Sequence, residues 1–172
     1  LDTAAGGKLT TFGWYENGSM HGDVVARYLS DGSLDASFGA NGVYTLPADT
    51  VFSYGSVTAM RTQADGKIVL AGSYSSPWSL SDDDFFLVRL LADGSGPDPN
   101  FGNAGIVKTD FFGLPNNGDL LSDISFQPDG KIVAAGESDS LFKSGVSVIR
   151  YHSNGTIDSS FGTNGRVLHP IG

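Results

Sequence analysis

The chain contains no cysteine. That excludes a disulfide framework and a thiolate metal site, and it leaves the compartment open, because a cysteine-free chain suits cytosol and export equally. Basic residues are also scarce: ten Lys and Arg face 19 Asp and Glu, for a net charge of −9 at pH 7. Nucleic-acid backbones and anionic membranes reward clustered Lys and Arg, so neither is expected as a partner. No apolar run approaches the length of a membrane span, and membrane insertion is not expected. No segment keeps a helical period, so a Gly-rich phosphate loop has no helix to open. The three histidines, His21, His152 and His169, show no metal-ligand spacing. The chain starts at Leu1 rather than Met and contains no signal peptide, so an upstream segment is expected to have been removed or to lie outside this sequence.

What the chain does have is glycine, 24 residues of 172, which points to many tight turns. It also has a repeat. The stretch RYLSDGSLDASFGANGVYTL at Arg27 to Leu46 returns as RLLADGSGPDPNFGNAGIVKT at Arg89 to Thr109 and as RYHSNGTIDSSFGTNGRVLH at Arg150 to His169. A second element runs beside it: AAGGKLTTFG at Ala4 to Gly13, QADGKIVLAG at Gln63 to Gly72 and QPDGKIVAAG at Gln127 to Gly136. Lys8, Lys67 and Lys131 fix the period at about 60 residues, and such a period signals repeat architecture.

The second period holds four runs of strand character: Ser56 to Gln63, Lys67 to Tyr74, Phe85 to Leu91 and Gly105 to Asp110. Each is short, rich in Val, Ile, Leu, Phe and Thr, and bounded by turn residues. The third period repeats them. The first shows three, and its opening strand is expected upstream of Leu1. Asp-Gly turns join the first and second strands, and the third strand is apolar on both faces, which implies sheets stacked face to face. The expected fold is all-β: β-propeller blades of four antiparallel strands, about three of them, in one repeat domain. The expected blades span 1–46 (incomplete), 47–110 and 111–172.

The combination of QPDGKIVAAG, an apolar strand ending in Arg-Tyr, and NGTIDSSFGTNGRV resembles the delta-60 repeat, which occurs in tandem in large bacterial surface or secreted proteins. The likeness covers nearly the whole chain. It implies propeller blades, export to the cell surface or medium, and no fixed enzymatic activity. The first copy departs from the pattern at Gly6-Gly7, where the others have Asp-Gly.

Positions that recur between copies are expected to be scaffold. Arg27, Arg89 and Arg150 stand within apolar strands, where an unpaired charge is costly. Asp35, Asp98 and Asp158, each three residues before a phenylalanine, are their expected partners. Phe38, Phe101 and Phe161 are expected to plug the space between blades. Asp31, Asp93 and Asn154 precede Gly in turns and suit Asx-turns. A calcium loop at Asp31 and Asp35 is the sharper reading, but the third copy has Asn154, and no cofactor is expected.

Positions that do not recur gather on the opposite rim. They comprise Trp14 to Asp23, Ser75 to Asp84 and Glu137 to Gly145 between second and third strands, and Pro47 to Gly55 and Phe111 to Leu120 between blades. Loops on a rigid frame are where binding usually lives. Trp14, Tyr15, Tyr54, Trp78, Phe112 and Phe142 are the candidate ligand-binding residues, since exposed aromatics stack on sugars or anchor a protein. Packing of these rings onto the blade tops is the competing reading. Acids gather on the same rim, among them Glu16, Asp82, Asp83, Asp84, Asp110, Asp119, Glu137 and Asp139. The expected function is a non-enzymatic binding or structural module of an exported bacterial protein, holding a glycan or a protein. The first alternative is a glycoside hydrolase, or a domain attached to one, using two opposed carboxylates. The second is a self-assembly unit with no ligand. Three blades are too few to close a ring, so either the chain is a fragment of a longer array or a homo-oligomer completes the ring, a dimer first.

Overall fold

The computed structural model describes residues 1–3, 5–17, 20–47, 55–75, 83–112, 118–139 and 144–170. Among these residues there are twelve strands in three antiparallel sets of four, called blades one to three below. Blade one is β1 (Asp2–Thr3), β2 (Leu9–Asn17), β3 (Met20–Tyr28) and β4 (Val43–Thr45). Blade two is β5 (Gly55–Thr62), β6 (Ile68–Ser75), β7 (Asp83–Leu90) and β8 (Ile106–Thr109). Blade three is β9 (Gly118–Phe126), β10 (Ile132–Asp139), β11 (Ser144–Tyr151) and β12 (Arg166–Pro170). Each strand pairs with the next in its blade, and one parallel pair, Asp83 with Gly118, links blades two and three. Among the described residues the sheets stay open; none closes on itself.

Two details differ from the sequence expectation. Blade one has an opening strand within the chain: Asp2 and Thr3 pair with Thr10 and Leu9. Two residues are too few to carry a readable alternation, so nothing in the sequence marked this strand. The segment from Trp14 to Asp23 is largely strand rather than loop, because β2 and β3 stay paired from Leu9 with Tyr28 out to Asn17 with Met20.

The packing follows from the side-chain alternation of the third strands. On β7, Phe85 and Leu87 face blade three and join a core with Phe101, Leu121, Ile132, Ile149 and Tyr151. Phe86, Val88 and Leu90 face the other way and join Val25, Phe38 and Leu46 of blade one. The continuous apolar run of β7 thus reflects burial on both faces, as the middle sheet of a stack requires. Burying side chains of this size is worth roughly 1.5–3 kcal/mol each, which makes the stacked faces the main source of stability.

The first and second strands approach too closely for a side chain at one place in blade two and one in blade three. A Cβ on Gly72 would lie 1.9 Å from the Ser56 carbonyl oxygen, and one on Gly136 would lie 2.0 Å from that of Leu120. Both positions adjoin register shifts in the ladder, where a bulge bends the strand.

Candidate functional site

One rim of the stack is scaffold. Its turns are closed by their own side chains: Asp31, Asp93 and Asn154 accept hydrogen bonds from the amides of Ser33, Ser95 and Thr156. Asp65 and Asp129 accept from Lys67 and Lys131 in the same manner. Beneath these turns sits a charged clamp. Arg27 Nε donates to Asp35 at 2.8 Å, Arg89 Nε to Asp98 at 2.9 Å and Arg150 Nε to Asp158 at 2.8 Å. Each guanidinium also lies over the following phenylalanine, with centroid distances of 4.5, 4.5 and 4.7 Å for Phe38, Phe101 and Phe161.

A third member of the clamp was missed in the sequence. Lys8, Lys67 and Lys131 reach the same aspartates at 2.8, 3.0 and 3.4 Å. The recurrence of this lysine in all three copies was the available signal. The lysines help hold the carboxyls below the usual carboxylate range. For Asp35 the largest cause is the Lys8 hydrogen bond, followed by the Ser37 hydroxyl. For Asp158 it is the Ser160 hydroxyl. For Asp98 burial pushes upward and is outweighed by the Asn100 amide, Lys67 and Arg89. Asp35 Oδ1 takes the amide and hydroxyl of Ser37, and Asp31 Oδ1 takes those of Ser33, so the oxygens proposed for calcium serve the turn.

The opposite rim carries the β2–β3 hairpin. Trp14 follows Gly13 as Ser73 follows Gly72 and Glu137 follows Gly136. In blade two this position is structural, because Ser73 Oγ accepts the Leu121 amide of the next blade at 2.8 Å. In blade one it carries an indole that is 74% exposed, on a strand paired along its whole length. Tyr15 is half-buried beside Gly22, to which its ring comes close. The corresponding Tyr74 packs under the Lys108 ammonium at 3.8 Å. Phe112 packs edge-on against Phe111, with centroids 5.1 Å apart, and rests on the core between blades two and three. Tyr54, Trp78 and Phe142 lie outside the described residues. Of the six candidate aromatics, three are therefore placed, and only Trp14 stands largely clear of the protein surface.

Three of the acids of this rim converge in one place. Ligand oxygens of Asp84, Asp110 and Asp119 lie within 4.8 Å of one another, and Asp119 is buried. Among the described residues this is the set that could hold a divalent cation. Two of its oxygens already serve the backbone: Asp119 accepts the Phe111 amide at 2.6 Å and Asp110 accepts that of Phe112 at 2.9 Å. The equivalent positions elsewhere are Gly22 and Gly145, Pro47 and Pro170, and Gly55. The cluster is thus peculiar to the junction of blades two and three. No helix of the described residues is long and apolar enough to cross a membrane.

No curated protein matches the chain. A family model described as "Domain of unknown function (DUF5122) beta-propeller" matches residues 7–38, 63–101 and 127–161. Each matched segment runs through the lysine, the arginine and the aspartate of one clamp and ends on its phenylalanine. With more than half of its length covered, and with one clamp per four-stranded sheet, the chain belongs to the DUF5122 beta-propeller family.

Proposed function

We propose that this chain is a non-catalytic binding module of an exported protein, built of delta-60 repeats, and that it takes a glycan on the rim carrying the β2–β3 hairpin. The carrying observation is Trp14. At a position that blade two uses to latch its neighbour, blade one presents a large exposed ring on a strand paired with β3. A flat aromatic held this way matches the apolar face of a pyranose, and pre-ordering of the strand lowers the entropic cost of binding. Export rests on the resemblance of the repeats to those of bacterial surface proteins.

The test is a titration of the whole chain with a panel of neutral and acidic oligosaccharides, followed by calorimetry and by tryptophan fluorescence. Trp14→Ala is expected to abolish the heat of binding while leaving the circular dichroism spectrum unchanged. Saccharide binding that survives Trp14→Ala would move the site elsewhere. Absence of saccharide binding, together with Trp14-dependent capture of a protein partner, would assign the platform to a protein ligand instead.

A further inference from the structure

We propose that a second copy of this chain docks its first blade onto the third blade of this one, head to tail, through the contacts that already join neighbouring blades within the chain. Those contacts occur twice. From blade one to blade two, Arg27 Nη1 donates to the Ala92 carbonyl, and the Gly39 amide donates to that of Asp93 at 2.8 Å. From blade two to blade three, Arg89 Nη1 donates to the Ser153 carbonyl at 2.6 Å, and the Gly102 amide to that of Asn154 at 2.8 Å. In both cases the phenylalanine fills a slot over the turn glycine. A Cβ on Gly94 would lie 2.6 Å from the Phe38 ring, and one on Gly155 would lie 3.0 Å from the Phe101 ring.

Each end of the stack presents half of this latch. Blade three carries Arg150, Phe161 and Gly162 in the donor positions. Among the described residues neither Arg150 Nη1 nor the Gly162 amide has the carbonyl that its counterparts reach. Phe161 is half-buried, whereas Phe38 and Phe101 are fully buried. Val146 and Val167, at 43% and 39% exposure, occupy the places of Phe85 and Val107, which pack into the core between blades two and three.

Blade one carries the receiving half. Ser30, Asp31 and Gly32 stand where Ala92, Asp93 and Gly94 stand in blade two. Leu34, 45% exposed, stands in the place of Ile157, which packs against the blade two–three core. Val24, Ala26 and Tyr28 are half-buried, while their counterparts Phe86, Val88 and Leu90 are buried under blade one.

A second copy fits both ends, because it brings the receiving half in the same register, residue for residue. The contact joins different surfaces of the two chains. Two copies bring six blades, and two is the only number of three-blade chains that falls within the roughly four to eight blades of a propeller ring, so the expected end point is two chains.

The slot glycine supplies a clean variant. Gly94 and Gly155 have no room for a side chain, but a Cβ on Gly32 meets nothing within 4 Å, and its φ of +86° is one that Asn tolerates. Gly32→Asn should therefore leave the chain folded and block the entry of a neighbour's Phe161. Phe161→Ala disables the other half.

The experiment is sedimentation equilibrium of the full chain over a concentration series, with circular dichroism melts as the folding control. The wild type is expected at the two-chain mass. Either variant alone is expected to raise the dissociation constant about thirtyfold or more, as for loss of an anchor at an interface centre. Mixing the two variants brings one intact donor face to one intact receiving face, so a one-to-one complex is expected from two chains that are each monomeric. A monomeric wild type would overturn the proposal. So would self-association that ignores both variants, or a mixture that stays monomeric.

Discussion

Replacing Asp98 by Asn removes one charge from the interior at nearly constant shape, and it sets an amide NH2 where the carboxylate accepted from Arg89. Asp98 is fully buried, and its Oδ2 takes Arg89 Nε at 2.9 Å, Arg89 Nη2 at 2.9 Å and Lys67 Nζ at 3.0 Å. Asn keeps the acceptor for the Asn100 amide. Lys67 is partly exposed and has Asp65 at 3.5 Å to turn to, so the stranded charge is that of Arg89. Removing one partner of a buried pair costs about 3–5 kcal/mol, and the Ser153 carbonyl still held by Arg89 places the expected value near the lower figure, about 3 kcal/mol. With a urea m-value near about 2 kcal/mol/M, the unfolding midpoint falls by about 1.5 M. Asp65→Asn, at an exposed pair, is the control and is expected to shift stability by no more than about 0.5 kcal/mol. Adding Arg89→Met to Asp98→Asn should recover about half of the loss, because the unpaired charge is gone while the Ser153 carbonyl has lost its donor. A cost below about 1 kcal/mol for Asp98→Asn, or a double variant no more stable than the single one, would refute the view that the clamp is a compensated buried charge.

Asp35, Asp98 and Asp158 all titrate below the unfolded carboxylate range. Around pH 4 the unfolded chain therefore binds more protons, so the clamp's contribution is complete above about pH 4 and drains away as pH falls below it. Urea midpoints measured downward from neutrality should hold until about pH 4 and then drop; a drop beginning near pH 6 would point to other groups. Tyr151 is fully buried, donates to Thr109 Oγ1 at 2.9 Å, and is pushed by burial far above an ordinary phenol. Alkaline absorbance titration should leave one tyrosine silent until the protein unfolds, and Thr109→Val should cost about 1–3 kcal/mol by orphaning the buried hydroxyl.

Local features were legible in the sequence. Strands, turn glycines and the Arg–Asp spacing all lie within about ten residues of one another, and recurrence across three copies marked them as scaffold. The clamp lysine was not legible as a partner, because Lys8 and Asp35 are 27 residues apart, one just before β2 and the other between β3 and β4, and meet only when the sheet forms. The convergence of Asp84, Asp110 and Asp119 was hidden for a similar reason: their shared rim could be read, but the closeness of the three depends on how blade three seats against blade two. Trp14 was singled out with five other aromatics, and only the paired β2–β3 hairpin distinguishes it as a fixed platform.

The sameness of the latch between successive blades has a consequence for how the chain finds its order. Arg27 would find in the turn of blade three the same carbonyls and the same glycine slot that it finds in the turn of blade two. The contacts themselves therefore cannot distinguish blade two from blade three as the neighbour of blade one. That choice falls to the connecting segments, residues 46–54 and 110–117, whose reach of at most about 3.6 Å per residue favours the adjacent sheet over the one beyond it. Blade order is thus encoded in tether length rather than in recognition. Insertions into these two segments should produce mispaired and swapped chains long before they weaken any single blade.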